Sequence, residues 1–358
     1  MIKKRFNQVN RLVKDILAFE EIKKNKPENT SKAVVVSIKN HTTYHRFFYL
    51  LLKFYKLAGY NVYYQMDFPT FRNIRNKEKY LSMIVREDNF LIVNKKYKPE
   101  NYIEIKDEMF SPDYFSSYFE KNNNTDHVFH VPMSFHPLMY HHGLWNRKVD
   151  VHKRRINSVF CYGNFDSQAY LDIKRTAFSV VPRTELLSFM KGKAEFLALS
   201  GKDELLKGIK DGGLEKKYAF AIKEDFELPM EDVRETLSHF NFYFCCPGVV
   251  MPLCHNVIEA MSVGTIPIIQ KEYAEVMYPN LTDGVNAIVF DNLEHLNSLL
   301  ENIFEIPEAT ISTMRKNVLD YFQDYLTPES MIEHLNESIR NKELVYLQAE
   351  YRSVKFVR

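Results

Sequence analysis

The sequence predicts an α/β protein built as two doubly wound parallel sheets, and three observations carry that prediction. Short apolar runs alternate with longer helical patterns through both halves of the chain, the order that builds parallel sheets with helices on their faces. Residues 241–292 read as strand, loop, helix, Gly turn, strand, short acidic helix, Gly turn and strand, which contains a βαβ crossover. A basic stretch over 147–155, with Arg147, Lys148, Lys153, Arg154 and Arg155, reads as a linker dividing 358 residues into two halves. Each half is long enough for its own core. The expected domains are 1–150 and 151–327, followed by a helical segment over 328–358.

Composition bounds the function. Apolar residues at 45 % and charged ones at 26 % are those of a soluble globular chain. A net charge of +2, with no basic stripe interleaved with aromatics, gives no reason to expect nucleic acid. The 22 Tyr and 27 Phe stand against one Trp; Tyr-rich surfaces suit sugar stacking, and an AT-rich genome gives the same count. Cys161, Cys245, Cys246 and Cys254 lack metal-type spacing, and the adjacent pair inside an apolar run reads as buried thiols. A reducing cytoplasm is the expected compartment. No apolar run reaches the ~18 residues that span a bilayer, and Lys, Arg and Asp interrupt Met1–Phe19 where a signal peptide has its apolar core.

Taken in order, residues 2–22 place Ile2, Phe6, Val9, Val13, Ile16 and Leu17 on one helical side and Lys and Arg on the other. Such a helix packs on its own domain or lies on an anionic membrane surface, here the inner one. Ala33–Ile38 is a strand, Lys39–Thr43 a polar loop, Tyr44–Leu57 an apolar helix ending at Gly59, and Asn61–Gln65 a strand closing at Asp67 and Pro69. Phe90–Val93, Tyr102–Ile105 and His127–Val131 are further strands, with helix and loop over 107–124 ending in an Asn122-Asn123-Asn124 turn. The segment 132–143 is a loop. Four histidines fall within 130–142, but His141 and His142 are adjacent and no HxxxH helix is present, so no metal site is expected. His136 and Tyr140 are instead candidates for substrate contact.

In the second half, Ile156–Tyr162 is a strand ending at Gly163-Asn164, where a glycine lets backbone approach a phosphate. Arg183–Met190 and Met230–Leu237 read as helices, and Phe196–Leu199 and Tyr218–Ile222 as strands. Asn241–Cys246 is a buried aromatic strand broken by Pro247–Gly248 and Pro252. His255–Val263 is a helix with Glu259 in its middle, Gly264 a cap free to take positive φ, and Thr265–Ile269 the next strand. The helix start at His255 offers unpaired N–H groups to an anion. Leu293–Phe304, Ala309–Tyr325 and Pro328–Lys342 are helices, and Arg352, Lys355 and Arg358 a solvated basic tail.

The segments HNVIEAMSVGTIPII and EVMYPNLTDGVNAIVF resemble the donor-binding half of GT-B-fold, sugar-nucleotide-dependent glycosyltransferases. Gly264-Thr265-Ile266-Pro267 is also similar to exostosin-like enzymes. The resemblance covers roughly 240–325 closely and the rest by layout. It implies two Rossmann-like domains facing a cleft, with the 328–358 segment crossing back onto the first. It implies that Glu259 holds a ribose, and that His255, Asn256, Gly264 and Thr265 approach the nucleotide and its diphosphate. Arg183 and Lys271 are candidates to neutralise the leaving group. The first domain would take a saccharide or lipid-linked saccharide acceptor, with His41, His45 or Asp67 as the base. Retaining members often carry a second acid seven residues earlier; here that position is Pro252, which favours direct inversion. No Asp-x-Asp occurs, so neither a metal nor a cofactor is expected beyond the nucleotide-sugar substrate. The expected role is bacterial surface-glycan synthesis in the cytoplasm. Two alternatives stay open: a sugar-nucleotide 2-epimerase of the same fold, and a non-catalytic nucleotide- or carbohydrate-binding protein.

Overall fold

The structure, a computed structural model, describes residues 2–120 and 127–357, with side chains from Asn7 onward. The Asn122-Asn123-Asn124 turn, Arg358 and the side chains of Ile2 and Phe6 lie outside the described residues. The strands of the first half are β1 (Ala33–Ser37), β2 (Asn61–Tyr63), β3 (Ile103–Lys106), β4 (Phe110–Ser111) and β5 (Val128–His130). Those that follow are β6 (Ile156–Gly163), β7 (Phe196–Leu199), β8 (Tyr218–Ile222), β9 (Phe240–Phe244), β10 (Ile266–Gln270), β11 (Ile288–Phe290) and β12 (Leu344–Tyr346). The chain divides into two compact units. Each is α/β with parallel sheets, as the alternation of runs predicts.

The first unit takes described residues 2–114, 127–131 and 328–353. Its sheets run β2-β1-β3 and β4-β12-β5, all parallel. The helix Arg46–Leu57 is buried along most of its length, and the helix Pro328–Arg340 lies against it. Tyr55 donates to the Asn336 side chain at 2.8 Å, and Asn336 donates to Tyr60 at 3.0 Å. These bonds satisfy polar groups that would otherwise be costly to bury.

The N-terminal helix, Ile2–Ile22, packs by an unexpected side. It buries Asp15, Phe19 and Ile22. The Asp15 carboxylate takes Arg72 and Arg75 at 3.1 Å each. Val9, Val13, Ile16 and Leu17, the stripe expected to seek a core, face solvent instead, from 44 % to 65 % exposed.

The second unit takes 115–120, 132–327 and 354–357. Its six-stranded sheet runs β11-β10-β9-β6-β8-β7, every pair parallel. From β6 the chain fills one side of the sheet, then returns at β9 and fills the other. The crevice outside the carboxyl ends of β6 and β9 is therefore the topological switch point, the usual ligand locus of such sheets.

The boundary falls at 131/132, not at 150. The reason is that 132–145 and Arg155 pack within this unit, although Arg147, Lys148 and Arg154 between them are exposed. Phe135 packs on Phe322 at 5.9 Å, and Arg234 donates to the Arg147 carbonyl at 2.6 Å. Arg155 is buried and donates to the Phe240 carbonyl and the Thr265 hydroxyl, both at 3.0 Å. The C-terminal tail is anchored too: Val357 N–H donates to Arg175 O at 2.8 Å, and Phe356 bridges Thr176.

Candidate functional site

Three features gather at the switch point of the second unit. Strand β6 ends with its Tyr162 carbonyl accepting from Asn256 Nδ2 and from the Tyr243 hydroxyl, both at 2.8 Å. Asn256 thereby pins the start of the helix His255–Met261 to the strand end. Cys254 before it is extended and makes no side-chain cap to the helix. Gly163 follows Tyr162, and a Cβ there would stand 3.0 Å from Arg183 Nη1. Its task is close approach to a guanidinium.

Arg183 is buried, an unusual state for a cation. Nε donates to Pro247 O at 3.1 Å, Nη1 to Asn164 O at 2.8 Å, and the guanidinium lies 4.2 Å over the Tyr170 ring. Carbonyl dipoles and a ring face hold it; among the described residues no carboxylate pairs with it. Nη2 faces the Cys246 carbonyl at 3.4 Å and Cys254 Sγ at 3.6 Å.

Glu259 is 6 % exposed, one turn inside the helix. Burial pushes its carboxyl up to about 8, with Arg234 pulling the other way. Among the described residues neither a hydrogen bond nor an ion pair reaches this carboxylate. Arg234 is engaged elsewhere, through Nε with Ser262 Oγ at 3.0 Å and through Nη1 with the Arg147 carbonyl. A buried carboxylate with its acceptor sites unused is costly unless a ligand supplies donors.

The remaining donor-side candidates fare differently. Gly264, at φ +74°, caps the far end of the helix, where a Cβ would meet Arg315 Cγ at 2.9 Å. Thr265 donates to Leu237 O at 2.8 Å and accepts from Arg155. A helix rises about 1.5 Å per residue, so both lie roughly 10 Å or more from the His255 end. Their tasks are structural. Lys271 is more than half exposed and 3.9 Å from Asp291.

His136 and Tyr140 were expected on the first domain, yet both belong to the second unit. The His136 ring meets the His255 ring edge-on at 5.5 Å, and His136 Nδ1 caps its own helix by accepting from Leu138 N–H at 3.3 Å. Tyr140 is a core residue packed on Phe135 and Trp145, each 5.7 Å away.

The first unit has a cavity of about 700 Å³ whose lining includes Lys39, His41, Asp67, Lys95, Lys98 and Tyr102. His41 is 4 % exposed; its Nδ1 stands 3.3 Å from the Tyr64 hydroxyl and its Nε2 has no partner. Burial lowers its pKa, with Asp107 opposing, so the ring is neutral near pH 7. Asp67 caps the helix Phe68–Lys77 by accepting from Thr70 N–H at 2.8 Å, and the Thr70 side chain together with that N–H holds its carboxyl below the usual range. A carboxylate stabilised this way is a weak base. His45 is strained, at φ 47° and ψ −117°, with its Nδ1 buried and unpartnered. The cavity lining thus joins His41 and Asp67 and leaves His45 out. Lys95, Lys98, Tyr102 and Arg234 carry no sequence signal beyond charge or ring, because only the backbone path brings them to a site.

No family model matches the chain, and no curated protein matches it. Solved structures similar to it include a glycosyltransferase from Rickettsia africae, 9 % identical, covering 88 % of this chain and 99 % of that one at a TM-score of 0.39. Anabaena HepE in complex with UDP is 12 % identical, covering 87 % and 79 % at a TM-score of 0.34. Sucrose-phosphate synthase from Thermosynechococcus elongatus is 12 % identical, covering 87 % and 98 % at 0.40.

Proposed function

We propose that this chain is a metal-independent GT-B glycosyltransferase that binds a nucleotide-sugar at the switch point of its second unit. One observation carries the reading: Glu259, a buried carboxylate without a partner, stands one turn inside an uncapped helix start in the unit that also buries Arg183. A pentose diol supplies two donors to the carboxylate, and a diphosphate takes the helix N–H groups and the cation. The acceptor, a saccharide or lipid-linked saccharide, lies in the cavity of the first unit. In a transfer of this kind an acceptor hydroxyl oxygen bonds to the anomeric carbon with inversion while the bond to the diphosphate oxygen breaks. The base we favour for the acceptor proton is His41, whose ring burial keeps neutral and whose Nε2 is unpartnered. Incubation with a panel of UDP-, GDP-, CMP- and ADP-sugars and candidate acceptors tests this. Nucleotide release that depends on the acceptor is expected; conversion of the donor without release would mark an epimerase, and binding without turnover a non-catalytic protein.

The enzyme works in the cytoplasm on surface-glycan precursors, held at the inner membrane surface. Val9, Leu12, Val13, Ile16 and Leu17 are exposed at helical spacing. Arg11 and Lys14 accompany them, and the nearby Asp15 is neutralised by Arg72 and Arg75. A basic, one-sided apolar helix suits anionic lipid. Co-sedimentation with vesicles containing phosphatidylglycerol is expected to fall about tenfold in V13E/L17E, with nucleotide binding retained. Equal sedimentation of the two proteins would remove the membrane contact.

A further inference from the structure

The cavity of the first unit is cationic, and that goes beyond a site for any saccharide. Lys39, Lys95 and Lys98 line it against a single carboxylate, Asp67. Among the described residues none of the three ammonium groups has an ion-pair partner, whereas neighbouring Lys106 is paired with Glu104 at 3.0 Å. Asp67 is held by Thr70 as a helix cap and also feels Lys95, so its single charge offsets one lysine and leaves the lining net cationic. Tyr102 is 52 % exposed on the same wall and offers an aromatic face to the apolar side of a sugar ring. His41, nearly sealed from solvent, adds an unpartnered ring nitrogen in that lining. The volume falls within the ~300–1,000 Å³ of small-ligand sites. A neutral saccharide is recognised by amides and carboxylates, and a wall of unpaired lysines offers it little.

We infer that the cavity lined by Lys39, Lys95, Lys98 and Tyr102 binds an acidic saccharide, its phosphate or carboxylate held by the lysines and its ring stacked on the tyrosine. This rests on the transferase reading only where it makes that saccharide the acceptor; the binding stands alone. Isothermal titration of the full chain with glucose 6-phosphate, glucuronate, glucose and inorganic phosphate tests it. Glucose 6-phosphate, glucuronate or both are expected to bind about tenfold or more tighter than glucose. Tight binding of the first alone assigns a phosphate, and of both a general anion site. K95A/K98A is expected to lose that preference, and Y102A to weaken the acidic sugar while leaving inorganic phosphate unchanged. Both variants alter exposed side chains, so melting temperatures near that of the parent protein are expected. Inorganic phosphate binding as tightly as the sugar acids, or preference surviving in K95A/K98A, would overturn the inference. UDP, GDP, CMP and ADP are titrated in parallel. Failure of every nucleotide with acidic sugars still binding sinks the transferase reading alone, and unchanged nucleotide affinity in K95A/K98A shows that the two sites are separate.

Discussion

Glu259→Gln is expected to stabilise the protein and to weaken nucleotide binding at once. The wild-type carboxyl titrates at about 8 in the folded chain against 4.5 as its ordinary value, because burial disfavours the charge more than Arg234 favours it. Between those values the folded state keeps a proton that the unfolded state has released. Stability is therefore full below the unfolded value and declines as pH rises through the window, by about 1.4 kcal/mol per unit. Glutamine carries no charge and removes the slope. The variant should match the wild type near pH 4.5 and exceed it by about 3 kcal/mol at pH 7. Chemical denaturation from pH 4.5 to 9 reads this directly, and parallel stability curves for the two proteins would contradict it.

Binding should run in the opposite sense. Ribose hydroxyls donate to an ionised carboxylate, so nucleotide binding below pH 8 must expel the proton that burial retains. Affinity is expected to rise with pH toward 8 and then level. Titration calorimetry at pH 7 in buffers of different ionisation enthalpy should show close to one proton released by the wild type and none by Glu259→Gln. The variant keeps one amide acceptor and should bind about ten- to a hundredfold more weakly. Undiminished affinity in Glu259→Gln would end the ribose assignment.

The strands that frame this crevice are legible because of where apolar runs stop. Buried parallel strands are near-continuous hydrophobic sequence, so Val159–Tyr162 and Ile266–Ile269 declare themselves. The Gly163 and Pro247–Gly248 breaks mark their carboxyl ends. Glu259 stood out as a carboxylate inside an apolar helix face. The helix Phe68–Lys77 went unread although its signals were present: Asp67 is its cap and Pro69 lies in its first turn. They look the same as a strand-end turn until the following residues are placed. The same holds for Lys202–Asp211, with acids in its first turn and Gly212 at φ +74° after it. Strand β12 has three residues and no period of its own; β4 and β5 on either side define it. The reversed N-terminal helix was illegible for another reason. Asp15 is drawn inward by Arg72 and Arg75, more than fifty residues away, and this partnership turns Val13 and Leu17 outward.

Arg183→Met is expected to be the most damaging substitution in the second unit. The guanidinium ties the carbonyls of Asn164 and Pro247, and more loosely Cys246, so it joins the loops that follow β6 and β9. Methionine fills similar space without donors, leaving buried carbonyls unpaired at about 1–3 kcal/mol each. A loss of about 3–5 kcal/mol in unfolding free energy is expected. Arg183→Lys separates scaffold from charge. It keeps the cation but cannot reproduce the planar fork, so it should cost less stability and retain part of the pull on a diphosphate. The informative comparison is nucleoside against nucleoside diphosphate. If Arg183 supports the diphosphate, Arg183→Lys should bind uridine or guanosine as the parent does, and the matching diphosphate about tenfold more weakly. Equal losses for both ligands would mean that the residue only shapes the loops. The helix start at His255 would then be left to meet the anion alone, because Lys271, the other cation considered, is exposed and near Asp291.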